Sequence, residues 1–267
     1  MKKNQLKALL LAAAVFVAAF SLSAAQDFNY RYVPNEAFGF GEKLNYKVGY
    51  KFITAGTGFF HILPDPVYKN GRKCYDVRFQ VRSLEKLDWL YKVQDDYRSI
   101  VDVGGIFPWA FIQRVREGNY KRDFWAKFDQ VKHVATTKDS SYKIPPYVHD
   151  IVSALYYVRT MDIGKMAKDT VIHLNNFFDD STYTLGVRIM GKETIKVEAG
   201  SFRCVLIEPL VVEGGLFKNE GKILVWMTDD DRKIPVKVAT KILIGYVGAE
   251  LVSYSGVRGP IDAKQEK

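Results

Sequence analysis

Cysteine is nearly missing from this chain: Cys74 and Cys204 are the only two in 267 residues. Neither sits in a CxxC, so thiol redox catalysis has no support. Histidine is scarce too. His61, His133, His149 and His173 include no HxxxH or HxH pair, so no metal site is expected. No GxSxG elbow, Walker loop or strand-linked GxGxxG is present, and no catalytic residue or cofactor is assigned. Nine Pro and 20 Gly are too few for a collagen-like or linker-like chain. Beyond residue 25 no apolar run approaches 18 residues, so no membrane-spanning helix is expected there. Long blocks of like charge are also lacking. Cations alternate with acids despite a net charge of +9, and no nucleic-acid partner is expected.

What is present is apolar and aromatic. The chain is 48% hydrophobic and 14% aromatic, which excludes a disordered protein. A chain of this length buries roughly three quarters of its unfolded surface. Lys2, Lys3 and Lys7 precede an apolar run from Ala8 to Phe20, and Ser23-Ala24-Ala25 fits a small-residue cleavage site. Residues 1–25 are therefore expected to be a signal peptide, and the protein periplasmic or in the outer envelope. Removing a leader with three Lys and no acid leaves 242 residues and a net charge of +6. Such a balance suits ordinary solvated charge, or peripheral contact with an anionic membrane surface. Export permits a disulfide. Cys74 and Cys204 are the candidate pair, closing a loop of about 130 residues worth roughly 4–5 kcal/mol by chain entropy. The competing expectation is two separate buried thiols beside strand-like runs.

The dominant period is two. Leu44, Tyr46, Val48, Tyr50 and Phe52 alternate with polar or small residues, as do Tyr75, Val77, Phe79 and Val81. Tyr183, Leu185, Val187 and Ile189 repeat the pattern, as do Ile234, Val236 and Val238. These are half-buried antiparallel strands. Gly118-Asn119 marks a tight turn between two of them, and Pro64-Asp65-Pro66 with Lys69-Asn70-Gly71 marks a longer loop before Cys74. Ala55-Gly56-Thr57-Gly58 reads as a bulge or sharp corner. One segment breaks the period. Val148, Ile151, Val152, Leu155 and Arg159 fall at helical spacing after Pro145-Pro146, predicting a main helix over about 147–161. The expected fold is mostly β: a curved antiparallel sheet or half-barrel with that helix packed on it. Ala55-Gly56 and Ala199-Gly200 hint at two similar halves. The expected organisation is an N-terminal extension at 26–37, one β-rich domain at 38–256 and a frayed polar tail at 257–267.

Asp229-Asp230-Asp231 and Asp179-Asp180 sit between strand-like runs and read as turns before cation sites. Asp95 shares a strand face with Tyr91, Val93, Tyr97 and Val101, and Arg122 shares one with Tyr120, Phe124, Ala126 and Phe128. Two inward charges on neighbouring strands should pair with each other or orient a polar ligand. Trp125 falls on the opposite face beside Lys121 and Lys127, where an exposed ring suits a glycan or a membrane surface. Trp226, with the other Trp, Tyr and Phe residues, is a candidate wall for an acyl-chain cavity. The candidate ligand-binding residues are thus Asp95, Arg122, Trp125 and Trp226.

Six segments together resemble a known family: Phe40-Gly41-Glu42-Lys43-Leu44-Asn45-Tyr46; Phe52-Ile53-Thr54-Ala55-Gly56; Arg116-Glu117-Gly118-Asn119-Tyr120-Lys121-Arg122; Asp150 through Arg159; Ala199-Gly200-Ser201-Phe202; and Trp226-Met227-Thr228-Asp229-Asp230 with Ile234-Pro235-Val236. In that order, over about 38–254, they resemble the exported bacterial domain-of-unknown-function family thirty-one oh eight. The resemblance implies export and a single β-rich domain, and no activity. A looser likeness, at fold level, is to periplasmic lipoprotein carriers, through the strand, acidic turn and Pro-containing return strand from Trp226 to Val238. The expected role is a non-enzymatic cell-envelope protein binding a hydrophobic or amphipathic ligand, either a lipid or a lipidated protein. The competing readings are a glycan-binding or envelope-assembly module, and a hydrolase whose site is assembled from distant residues.

Overall fold

The computed structural model describes residues 28–50, 53–210, 222–242 and 245–266. The expected leader and Phe52 lie outside the described residues. The chain divides into two units, residues 1–31 and 32–267. In the first, residues 28–31 carry no regular secondary structure, and the Phe28 and Tyr30 rings meet edge to face at 4.7 Å.

In the second unit the period-two segments form strands. The first half of the chain supplies β1 (Lys43–Tyr50), β2 (Ile53–Ile62), β3 (Val67–Lys69), β4 (Arg72–Ser83), β5 (Gln94–Asp102), β6 (Pro108–Glu117), β7 (Tyr120–Asp129), β8 (Val134–Thr136) and β9 (Ser141–Lys143). Helix α1 (Ile151–Arg159) follows. The second half supplies β10 (Val171–Phe178), β11 (Ser181–Val197), β12 (Gly200–Leu210), β13 (Ile223–Thr228), β14 (Pro235–Ile242), β15 (Gly245–Ser255) and β16 (Lys264–Gln265). All of them join one antiparallel sheet in the order β10-β11-β12-β13-β14-β15-β1-β2-β4-β5-β6-β7-β8-β9, with β3 on β4 and β16 on β12. The two halves are two meanders stitched together where β1 pairs β15.

Register shifts bend this sheet in five pairings. One lies opposite Val48 and Gly49, where Ala55 is the extra residue, and another leaves Met190 extra on β11. The Ala55 bulge is the corner expected from that Gly-rich stretch. Gly56 is required beside it, because a Cβ there would lie 2.5 Å from the Arg82 carbonyl oxygen. The sheet curls without closing into a barrel. Across the seam between its ends side chains meet: Phe128 and Tyr142 on Phe177, at 5.9 and 5.8 Å, and Phe124 on Phe178 at 5.6 Å.

Helix α1 crosses the inside of the curl and is pinned at both ends. Asp150 caps it by accepting from the Val152 and Ser153 amides at 2.8 and 2.9 Å, and Ser153 Oγ accepts from the Asp150 amide. Ser99 Oγ on β5 donates to Asp150 Oδ2 at 2.6 Å. At the far end Arg159, fully buried, donates to both Glu42 oxygens at 2.6 and 2.8 Å, and to the Ala37 and Arg232 carbonyls. The helix is shorter than the 147–161 span. Tyr147 takes a positive φ of 54°, and His149 pairs with Asn176 of β10, so the Pro145-Pro146 start is bypassed and Asp150 becomes the cap.

Two other expectations change. The loop before Cys74 is a hairpin, β3–β4, turned on Asn70-Gly71 with both φ positive. The tail is not frayed. Lys264 and Gln265 pair with β12, and the Ala263 amide donates to Asp230 Oδ2 at 3.0 Å. Ala37 is buried in the same core, and Phe38 packs on Tyr75 and Tyr156.

Candidate functional site

Between α1 and the curled sheet lies a partly enclosed cavity of about 390 Å³. Ile151, Val152, Ala154, Leu155 and Val158 face it from the helix. Tyr46, Phe60, Phe79 and Tyr97, one each from β1, β2, β4 and β5, form a ladder of rings on one wall, with Phe60 stacked on Phe79 at 4.4 Å. The opposite wall comes from β10 to β15 and is aliphatic: Leu174, Leu185, Val187, Ile207, Ile223 and Val225 among others. Gly58 and Gly248 add no side chain at all.

No described lining residue is charged, and Tyr46, Tyr97 and Thr240 bring the only hydroxyls. At the floor Tyr46 Oη donates to the Pro235 carbonyl at 2.7 Å, and burial pushes its pKa well above the ordinary phenol value, so it stays neutral. Close by, the Arg159–Glu42 pair satisfies itself. The cavity therefore offers a guest apolar contact and almost no polar recognition.

One end of the cavity is set by strand direction. Val48 and Val81 lie two residues before the ends of β1 and β4, Thr240 lies near the end of β14, and Ile223 and Val247 stand at or near the starts of β13 and β15. Asp95 sits one register position beyond Tyr97, opposite Val81, on the same face. It is buried, its Oδ1 accepts from the Arg116 amide at 3.0 Å, and burial with the neighbouring Glu117 raises its pKa to about 6.

The four residues expected to bind ligand do not come together. Asp95 does not meet Arg122. Strand β6 stands between their strands, and Arg122 turns instead across the seam to Asp179 at 2.8 Å, with its guanidinium over the Phe178 ring. Trp125 is half-buried, with the Lys127 ammonium 5.5 Å from its ring centre. Trp226 is held by a 2.6 Å hydrogen bond from its Nε1 to Glu193 and is not in the cavity wall. The candidate disulfide is absent: Cys74 and Cys204 are both free, buried thiols. Burial pushes each to about 12, so neither is a reactive thiolate. The acidic pairs are turns. Asp179 and Asp180 both take positive φ between β10 and β11, and Asp230 Oδ1 accepts from Thr228 Oγ1 and the Arg232 and Lys233 amides.

The family model described as "Protein of unknown function (DUF3108)" matches residues 45–252. The chain belongs to this family. Among solved structures, the DUF3108 fold seen here is similar to a β-barrel-like protein of domain of unknown function DUF1849 from Brucella abortus. The TM-score is 0.52 at 10% identity, over 85% of this chain and 99% of that one. A hypothetical protein, CT021 from Chlamydia trachomatis, matches at a TM-score of 0.36 and 9% identity, over 86% and 93%. No curated protein matches. The likeness to the Brucella protein shows the fold alone. In this DUF3108 chain the cavity wall carries many of the residues that alternation and helical spacing mark as inward: Tyr46, Val48, Phe79, Val81, Leu185 and Val187, with Ile151, Val152 and Leu155 from the helix.

Proposed function

We propose that the protein is a non-enzymatic binding protein of the cell envelope whose cavity takes the apolar chain of a lipid or of a lipidated protein. One observation carries this reading: a void of about 390 Å³ walled by uncharged, almost wholly apolar side chains. The volume falls within the range of roughly 300–1,000 Å³ common to small-molecule sites. An apolar void this large forgoes contacts that a filled core would make, so a guest chain stabilises the fold that holds it. The guest enters tail first, because a buried carboxylate or phosphate would meet no cation in the wall. A hydrolytic role gains nothing here, since no nucleophile with an adjacent base lines the cavity among the described residues.

Titration with a fluorescent fatty acid tests the reading. Saturable binding is expected, together with a rise in melting temperature. Val225→Phe with Leu155→Phe fills the void and should abolish both. A wild-type protein that neither binds the probe nor yields lipid when purified from its own envelope and examined by native mass spectrometry would overturn the proposal.

A further inference from the structure

Ten large apolar side chains are exposed among the described residues, and six of them gather at one end: Ile53, Trp89, Leu90, Tyr91, Tyr120 and Val247. The register traces them as a continuous rim. Val247 pairs with Tyr50, and Tyr50 with Ile53. The Leu84 amide bonds the Ala55 carbonyl, leading into the β4–β5 connection that carries Trp89-Leu90-Tyr91. The Tyr91 ring lies against Gly118, where a Cβ would come within 2.9 Å of it, and the Gly118 amide bonds the Lys92 carbonyl. Glu117 and Tyr120 close the β6–β7 hairpin. The cavity-lining Val48, Val81, Ile223 and Thr240 stand toward the same end of their strands, and Val247 belongs to both, lining the cavity while exposed on the rim. The other four, Tyr32, Tyr68, Ile112 and Val131, stand apart from this rim.

We infer that this rim docks on the surface of a lipid bilayer, with Trp89, Leu90 and Tyr91 as the inserted tip, so that the cavity mouth faces the lipid it draws from. The inference rests on the reading of the cavity as an acyl-chain site. Trp and Tyr suit the boundary between headgroups and acyl chains, where one end of the ring is wet and the other apolar. Trp89 is 82% exposed and Leu90 68%, an arrangement that ordinary folding does not explain. The charge agrees. Residues 82–92 hold Arg82, Lys86 and Lys92 against Glu85 and Asp88, and residues 114–123 hold Arg114, Arg116, Lys121 and Arg122 against Glu117 and Asp123. The two rim segments together carry a net +3, or +1 once Asp96 and Asp179, the partners of Arg82 and Arg122, are counted, and this excess of cations suits an anionic leaflet.

Co-sedimentation of the full protein with vesicles of phosphatidylcholine, with and without phosphatidylglycerol, tests this. Pelleting is expected with the anionic vesicles, weakening as salt rises. Trp89→Ser with Leu90→Ser should cut vesicle binding about tenfold or more, while uptake of the fluorescent fatty acid from solution stays as in the wild type. Wild-type protein left in the supernatant with both vesicles overturns the inference and marks the rim as a surface for a protein partner. Equal pelleting of the double variant overturns it too, as does loss of fatty-acid uptake in that variant. Failure of the cavity reading is seen separately, as a wild type that pellets with vesicles but takes up no fatty acid.

Discussion

The two sides of helix α1 are built on the same alternating pattern and end differently. In the cluster toward β4–β7 six of the sixteen buried residues are aromatic, among them Phe38, Phe111, Tyr156 and Phe177. Toward β10–β13 none of the twelve buried residues is aromatic, and Leu, Ile and Val dominate. Rings such as Phe38 and Tyr156 fill the space beside the helix on the first side; the void opens where the ladder from Tyr46 to Tyr97 faces short aliphatic chains. Alternation decides which side chains point inward, and their volume decides whether the interior is core or cavity. The cavity lies between the two, with rings of the first meander on one wall and aliphatic side chains of the second on the other.

The sharpest way to break the contrast is to loosen the strut that holds the helix between the two sides. Glu42 and Arg159 are both essentially unexposed and bonded at 2.6 and 2.8 Å. Glu42→Gln leaves a buried guanidinium without its counter-charge and should cost about 3–5 kcal/mol, read by urea unfolding. Both regions should loosen together, so the fatty-acid probe should be lost along with stability. Unchanged stability would mean that the helix is held by apolar packing alone.

A milder test enlarges one buried residue on each side. Ala126 lies in the aromatic core and Ala154 in the cavity wall, and both are buried. Ala126→Leu should destabilise by about 1–3 kcal/mol, because no space receives the added methyls. Ala154→Leu extends into the void and should stay within about 0.5 kcal/mol of the wild type while weakening the probe. Equal penalties would show that the cavity closes up in solution.

Much of this was legible in the residues, and the gaps have physical causes. Period-two runs such as Tyr75 to Val81 and Tyr183 to Ile189 gave strands and their inner faces. The helix and its apolar stripe were legible, although its start was not, because Asp150 and the His149 pairing with β10 replaced the proline cue. Asp95 and Arg122 do face inward as alternation implies, but their meeting depended on strand order, which periodicity does not encode, and β6 intervenes. Trp226 was readable as non-lining. It stands between Val225 and Met227, both buried in the aliphatic core, so alternation turns it the other way. An acyl-chain cavity was expected from aromatic content, but its place was not legible, because the lining comes from many strands whose order periodicity does not encode.

The smallest effect separates Asp95 from the helix cap. Burial raises both Asp95 and Asp150 to about 6 from an ordinary value of 3.8, so each binds its proton more tightly folded than unfolded. The stabilisation each confers is complete below about pH 4 and lost as pH rises through about 6. The wild-type stability curve should therefore decline over that window through both groups. Asp95→Asn keeps an oxygen to accept from the Arg116 amide and removes the buried charge beside Glu117. At neutral pH it should stabilise the protein by about 1 kcal/mol, the figure reduced for solvent screening near the cavity mouth. At about pH 4 the variant and the wild type should converge, because the native carboxyl is then neutral. Denaturant midpoints measured at both pH values decide it. A gain that persists at low pH would assign the effect to packing at the mouth, whereas convergence assigns it to a charge held beside the entrance of an otherwise apolar cavity.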